Sequence, residues 1–496
     1  MIVEELATQI MQTFGFVPTA DQAKATAVFS RFLLDRDGSS VMIMRGSAGT
    51  GKTSLAAAIV KTLVKLRQRV ILLAPTGRAA KVFSVNAGRP AFTIHRRIYR
   101  QKTFAGESTG FSLNDNMYHD TLFIVDEASM IANGGGGEGA VFGTGCLLDD
   151  MVSFVYGGHN CRMMIIGDMA QLPPVGEEES PALMADFMAG YGLKVYQCDL
   201  NEILRQASGS GILYNATEIR SMITHDEVTR LPKITFSGFA DIRMVPGGEL
   251  IEQLNSSYSE VGTDETIVIT RSNKRANAYN AGIRGMVLGR EEELTTGDML
   301  MVVRNNYYWT EKAAAEEKAL EENNKDNASA VKAENRALPF IANGDRAMVV
   351  RVRNLREFYG LHFADVWLQF PDYDNYEIMV TAVTDSLMAE APALTREQSE
   401  RLFNGVMEDY QDVPLKADRL KKVRQDPCYN ALQIKYAYAV TCHKAQGGQW
   451  AHIYVDQGYM TDDMLSPDYI HWLYTAFTRA TEKLFLVNWP KTQTEG

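Results

Sequence analysis

Val41-Met42-Ile43-Met44-Arg45-Gly46-Ser47-Ala48-Gly49-Thr50-Gly51-Lys52-Thr53 is the stretch that decides the fold. An apolar run is followed by a glycine-rich turn ending in Lys-Thr, and a helix-compatible run, Ser54 to Lys65, follows at once. Strand, loop and helix in that order make a phosphate-binding loop. Its glycines let successive backbone N–H groups turn inward, and the helix N-terminus adds the positive end of its dipole. On this reading Gly46, Ser47, Ala48, Gly49, Thr50 and Gly51 form the cradle, Lys52 reaches the β- and γ-phosphates, and Thr53 offers a hydroxyl to Mg²⁺.

Outward from the loop, short apolar runs recur at Val70 to Leu73, Leu122 to Val125, Met163 to Ile166, Ile267 to Ile269, Ile453 to Val455 and Leu484 to Val487. Helix-compatible stretches such as Cys146 to Val155 and Lys274 to Met286 lie between them. This alternation predicts an α/β protein with parallel sheets covered by helices on both faces. Two segments break it. Arg96 to Asp120 is short, aromatic and turn-rich, as a projecting hairpin would be. Roughly Glu291 to Asn430 mixes strand-like pieces (Met299 to Val303, Arg346 to Val352, Asp365 to Phe370) with a charged run, Glu311 to Arg336, that reads as an exposed helical excursion. Gly134 to Gly139 marks a loop, and no repeat of solenoid length is present.

The chain has 496 residues, enough for two to four domains, and 46% hydrophobic with 22% charged residues excludes wholesale disorder. Apolar runs such as Leu55 to Val60 fall far short of the roughly 18 to 20 residues that span a bilayer. Glu4 and Glu5 precede any basic residue and no secretory signal is evident, so the reading is cytoplasmic with no membrane partner. Five cysteines without a CxxC pair predict reduced thiols. Net charge is −11, yet Gly38 to Gly106 contains no Asp or Glu and thirteen Lys or Arg residues. That is either a local positive surface for a polyanion or a face whose counter-charges come from elsewhere in the fold.

Leu122 to Val125 ends in Asp126 and Glu127. Asp126 can hold the Mg²⁺ shell, and Glu127 can orient or deprotonate a water attacking the γ-phosphate. Kinases also use a phosphate loop, but a Glu beside the Mg²⁺ carboxylate favours ATP hydrolysis over transfer to a substrate hydroxyl.

Further segments extend this in a fixed order. They are Phe16-Val17-Pro18-Thr19-Ala20-Asp21-Gln22, Ala74-Pro75-Thr76-Gly77-Arg78-Ala79-Ala80-Lys81, Thr93-Ile94-His95, Gly167-Asp168-Met169-Ala170-Gln171-Leu172-Pro173-Pro174-Val175-Gly176, Leu204-Arg205-Gln206, Thr441-Cys442-His443-Lys444-Ala445-Gln446-Gly447-Gly448 and Tyr474-Thr475-Ala476-Phe477-Thr478-Arg479-Ala480. With Asp126-Glu127-Ala128-Ser129 and the phosphate loop, the series resembles superfamily 1 helicases, in their 5′-to-3′ branch of RecD-like and Dda-like DNA helicases. The resemblance implies two RecA-like lobes with ATP and Mg²⁺ between them. Gln22 would read adenine, Gln171 would sense the γ-phosphate, and Arg205 and Arg479 would reach the phosphates from the second lobe. Where the family often has Glu, Gln449 follows Gly448, and it would contact the ribose. No extended domain precedes the Gln22 segment, as in the compact Dda arrangement.

The same resemblance implies single-stranded DNA and single-strand/duplex junctions as partners. Thr76, His95, His443 and Lys444 are the leading contact candidates. Lys81, Arg96, Arg97, Arg100 and Lys102 are phosphate candidates, with Tyr99, Phe104 and Phe111 as stacking or wedging surfaces. Expected domains are 1–205 as first lobe with 96–120 as its pin, 206–290 plus 431–496 as second lobe, and 291–430 as an inserted Src-homology-3-like barrel. Its charged excursion, 309–338, is open to DNA or a protein partner. Such motors serve DNA replication, repair or recombination. The competing readings are an RNA helicase of the same superfamily and an ATP-gated nucleic-acid clamp.

Overall fold

A computed structural model describes residues 2–101, 111–134, 143–202, 209–225, 230–323 and 340–495. Six parallel strands form the first sheet in the order Ala91–Thr93, Arg69–Ala74, Thr121–Val125, Arg162–Gly167, Ser40–Gly46, Lys194–Leu200. Side chains alternate across a strand, so an unbroken apolar run is what two buried faces require. Val41, Ile43, Leu73, Phe123, Val125 and Ile165 join one core with Met151 and Val155 of the helix Leu147–Gly157. Met42, Met44, Leu72, Ile124 and Ile166 join another, under the helices Ile2–Phe14, Ala20–Leu33 and Lys52–Lys65.

The second sheet is also parallel, in the order Ile242–Val245, Ala480–Val487, Trp450–Asp456, Thr266–Thr270, Ala439–Thr441. Between its strands the chain departs to build a closed barrel of Met299–Val302, Arg346–Phe358, Leu361–Phe370, Tyr376–Val383 and Leu432–Tyr436. The expected α/β class, two RecA-like sheets with a hairpin and a barrel inserted, is the architecture found. The barrel's last strand, Leu432–Tyr436, falls beyond the 291–430 span read from sequence. It is recruited because closure needs a neighbour for both Met299–Val302 and Tyr376–Val383.

The hairpin is an antiparallel pair, Tyr99–Gln101 with Phe111–Leu113. Its connection, with Lys102 and Phe104, lies outside the described residues, as do Gly135 to Gly139. The charged excursion begins as the helix Tyr308–Asn323, and positions 324–338 lie outside the described residues. All five cysteines are free. Among the described residues, no helix is long and apolar enough to cross a membrane.

The barrel is rooted in the second lobe by one buried carboxylate. Lys274 to Met286 forms a helix to Gly282 and then a π-helical turn, Ile283–Val287, which turns Arg284 inward. Asp298 is fully buried and accepts from Arg284 Nε and Nη2 at 3.0 and 2.9 Å, from Arg290 Nη1 at 2.8 Å and from Tyr438 Oη at 3.0 Å. Removing one partner of such a pair strands the others in a low-dielectric site. Asp298→Ala is therefore expected to destabilise the chain by about 3 to 5 kcal/mol, with Asp298→Asn between it and the parent. Urea unfolding followed by circular dichroism measures the order of the three.

Candidate nucleotide site at the lobe seam

The phosphate loop leaves the C-terminal end of Ser40–Gly46, an interior strand of the first sheet. A Cβ on Gly46 would sit 2.8 Å from Thr50 Oγ1 and 2.9 Å from Leu200 Cβ, so no other residue fits. Gly49 and Gly51 have φ of 77° and 79°, the left-handed region that glycine enters without strain. Lys52 Nζ and Thr50 Oγ1 both donate to the Ser47 carbonyl at 2.8 Å. Thr53 lies half-buried in the first turn of the following helix. Gln22, fully buried, accepts from Thr19 N at 3.0 Å and donates from Nε2 to the Thr50 carbonyl at 2.9 Å, tying its helix cap to the loop. An amide has two lone pairs and two N–H groups, so these bonds use one of each.

Asp126 and Glu127 end the strand Thr121–Val125, and Glu127 adopts φ 53°, a strained conformation for a residue with a side chain. Burial, with Glu127 adding to it, raises the Asp126 carboxyl above the ordinary range, while Lys52 and Arg479 pull it back. Arg479, 2% exposed, comes from the second lobe and pairs with Glu127 at 3.5 Å. Gln171 lies between them, and with its amide turned so that its N–H faces the carboxylate, Nε2 donates to Glu127 Oε2 at 3.3 Å and Oε1 accepts from Arg479 Nη2 at 3.0 Å. Five of the six catalytic candidates, Lys52, Asp126, Glu127, Gln171 and Arg479, thus interact around one point. The sixth, Arg205, lies outside the described residues.

Three contacts at this seam escaped the sequence reading. Tyr474 Oη donates to Asp168 Oδ2 at 2.7 Å and accepts from Ala48 N at 2.9 Å, bridging the second lobe to two first-lobe loops. The Leu172 peptide is held on both sides, its N–H donating to Thr475 Oγ1 at 2.8 Å and its carbonyl accepting from Gln446 Nε2 at 2.7 Å. Arg220, on the helix Gly211–Thr224, donates to Ser47 Oγ at 2.6 Å and to Asn201 Oδ1 at 2.7 Å. Tyr474, Thr475 and Gln446 lie inside quoted segments. Arg220 has no sequence signal beyond being a basic residue on a helix.

The nucleic-acid candidates separate into groups. Thr76 caps the helix Gly77–Ala87, and a Cβ on Gly447, at φ 73°, would lie 3.0 Å from its Oγ1 and 3.1 Å from Ala79 Cβ. The Thr76 segment of the first lobe and the Gly447 segment of the second therefore touch. His443 is exposed, and Lys444 donates to Asn343 Oδ1 of the barrel. Lys81 donates to the Pro371 carbonyl at 2.9 Å. Arg96 and Arg97 lie 5.8 and 4.8 Å from the Phe92 ring. His95 packs with Tyr99 and Phe340, and burial pulls its imidazole down to about 4, so it is neutral near pH 7. Tyr99 is 8% exposed and its Oη donates to the buried Asp150 at 2.7 Å. It is a core residue, taken off the candidate surface because that hydroxyl has an internal acceptor. Gln449 offers its backbone carbonyl to Arg78 Nη2 at 2.8 Å.

Several cations of the acid-free stretch are balanced from elsewhere. Arg45 pairs with Asp199 at 2.6 Å, Arg78 with Glu265 at 2.8 Å and Asp372 at 3.5 Å, and Arg100 with Asp115 at 3.2 Å.

Residues 19–231 match the AAA domain family, and residues 436–487 match the UvrD-like helicase C-terminal domain. The chain is 26% identical over 264 residues to the ATP-dependent DNA helicase dda of Enterobacteria phage T4, covering 52% of this chain and 55% of that protein. It is 29% identical over 180 residues to the ATP-dependent RecD2 DNA helicase of Deinococcus radiodurans, covering 36% and 21%. These matches span about half and about a fifth of the two relatives' lengths. The crystal structure of the Pif1 helicase from Bacteroides with ADP-AlF3 and single-stranded DNA aligns over 97% of this chain and 95% of its own, at 15% identity and a TM-score of 0.45.

A guanidinium beside the second residue of the phosphate loop attracts a triphosphate whether or not Ser47 carries a hydroxyl. Arg220→Ala is expected to weaken ATP-analogue binding about tenfold, within the range of one charge-assisted hydrogen bond, while Ser47→Ala changes it little. A fluorescence titration in which both variants bind equally tightly would restrict Arg220 to holding the lobes together.

Proposed function

We propose that this chain, which resembles superfamily 1 helicases of the 5′-to-3′ branch in its motif series and in the relatives it matches, is an ATP-dependent DNA helicase. It hydrolyses ATP at the lobe seam, moves 5′ to 3′ on single-stranded DNA and unwinds duplex ahead of it. The observation that carries the reading is the meeting of Lys52, Asp126 and Glu127 of one lobe with Arg479 of the other. Residues 1–205 would act as the first lobe, 206–290 with the chain after the barrel as the second, and the barrel as an accessory domain.

In this reading the phosphate loop and Lys52 hold the β- and γ-phosphates. Thr53 and Asp126 would hold Mg²⁺, which when bound neutralises charge on the phosphate oxygens. A hydroxyl and a carboxylate are the hard oxygen donors that ion takes. Among the described residues no cluster of three or more His, Cys, Asp or Glu could hold a metal alone, so phosphate and water would complete the shell. Glu127 orients the attacking water and takes its proton. Arg479 leaves Glu127 to stabilise charge on the transferring phosphoryl group, and Gln171, bonded to both, registers the exchange. Gln171 is followed by Leu172, whose peptide is gripped by the second lobe, so a shift at the phosphate moves that lobe. Thr76 and Lys81 on one lobe and His443 and Lys444 on the other would then alternate their hold on the strand.

Lys52→Ala is expected to lose both ATPase and unwinding. Glu127→Gln is expected to bind ATP normally and turn over about 10²- to 10⁴-fold more slowly, the usual reach of a general base. The deciding assay offers duplexes bearing only a 5′ or only a 3′ single-stranded tail, with matched DNA and RNA tails. Unwinding confined to 5′ DNA tails is expected. An ATPase rate indifferent to any nucleic acid would sink the helicase reading, and stimulation without strand separation would leave an ATP-gated clamp.

A further inference from the structure

A cleft of about 1420 Å³ opens between the barrel and the helices Tyr308–Asn323, Arg396–Asp409 and Lys416–Arg424, away from every residue of the nucleotide site. Five cations line it: Arg304, Lys312, Arg396, Lys421 and Arg424. Arg304, Lys421 and Arg424 are exposed, and of the five only Arg396 has an ion pair among the described residues. Two carboxylates also line it, Glu311 and Glu400, and Glu400 is balanced by Arg396 at 2.7 Å. In a chain of net charge −11 this is a local positive field.

Aromatic rings are interleaved with the cations. Tyr429 is 38% exposed and meets Phe403 edge-on at 6.1 Å, and Lys312 lies 6.0 Å from the Tyr308 ring. The floor is firmly built. Trp309 Nε1 and Asn306 Nδ2 donate to the Asn430 carbonyl at 2.9 and 2.8 Å, and Tyr308 Oη donates to the Gln425 carbonyl at 3.0 Å. One end of the cleft reaches the proposed strand path. Asn343 lines it while accepting a hydrogen bond from Lys444, and Phe111, at the hairpin's second strand, lines it while packing 4.5 Å from Tyr307.

We propose that this cleft is a second binding site for single-stranded DNA, holding the strand that the hairpin turns away from the seam. Cations spaced along a groove neutralise successive phosphates, and exposed tyrosine rings stack on bases without regard to sequence. Duplex DNA hides its bases and would leave Tyr429 unused. This site rests on the helicase reading only for the direction from which the strand arrives.

The test measures equilibrium binding by fluorescence anisotropy, without ATP, to a fork with both tails and to the same duplex with the 5′ tail alone. The variant carries Arg304→Ala, Lys421→Ala and Arg424→Ala. Its affinity for the fork is expected to fall at least tenfold. The slope of log affinity against log salt should shrink by about 2, the share of three single-strand phosphate contacts. Binding of the 5′-tailed duplex and ATPase on a short single strand should be unchanged, which also shows that the variant is folded. Tyr429→Ala should lower fork affinity about tenfold with no change in salt slope. Equal weakening on both substrates, or none, overturns the proposal, and loss confined to longer duplex arms would assign the cleft to duplex instead. Because the readout is binding alone, a chain whose ATPase ignores DNA would sink the helicase reading and leave this result standing on its own.

Discussion

Arg479 carries a full charge into an interior where it is 2% exposed, and the carboxylate nearest to it, Glu127, belongs to the opposite sheet. A buried ion whose partner is removed costs several kcal/mol, far more than a surface pair returns. Parting the sheets at this point exchanges the Glu127 pair for water at the guanidinium, and in the proposed reading a triphosphate between Lys52 and Arg479 would be the anion that takes its place. In the proposed reading, lobe position and nucleotide occupancy would be linked through this one guanidinium. The other seam contacts follow the same logic with weaker bonds: Tyr474 spans Asp168 and the Ala48 N–H, and Arg220 spans Ser47 and Asn201.

How far the sequence disclosed this depends on what each feature requires of the chain. A strand buried on both faces must be apolar without interruption, so the runs at Val41, Leu122 and Met163 announce themselves. A loop that wraps phosphate must have glycine at Gly46, Gly49 and Gly51 for steric reasons, and those are visible as letters. Arg220 was invisible because nothing local distinguishes it from any exposed arginine on a helix. Its role is fixed by the way two distant lobes pack. Tyr99 misled for the converse reason: an aromatic amid basic residues reads as a stacking surface, and only the tertiary structure shows Asp150 waiting for its hydroxyl. The barrel's fifth strand, Leu432–Tyr436, stood within the stretch read as second lobe. A short apolar stretch serves either structure, and closure of the barrel decides which one takes it.

The acid-free stretch from Gly38 to Gly106 shows why charge patterning alone has two answers. Arg78 is bonded to Glu265 and Gln449 of the second lobe, faces Asp372 of the barrel, and lies 5.5 Å from the Trp450 ring, which Arg346 approaches to 5.7 Å. That arginine is structural: it sits where first lobe, second lobe and barrel meet, and its 11% side-chain exposure leaves little for a ligand. Lys81, one turn further along the same helix, is bonded to the Pro371 carbonyl and lies 3.8 Å from Asp372, yet it is 41% exposed. An ion pair at that exposure is worth about 1 kcal/mol or less, which a DNA phosphate can outbid at low salt. Burial thus sorts a basic stretch into cations that hold the three domains together and cations that can be exchanged. Lys81 lies on the barrel side of the helix Gly77–Ala87, where Pro371 to Tyr373 packs against it. In the proposed reading a strand gripped there would displace barrel contacts as it binds, and the barrel's position would become a second quantity, after lobe closure, set by the strand.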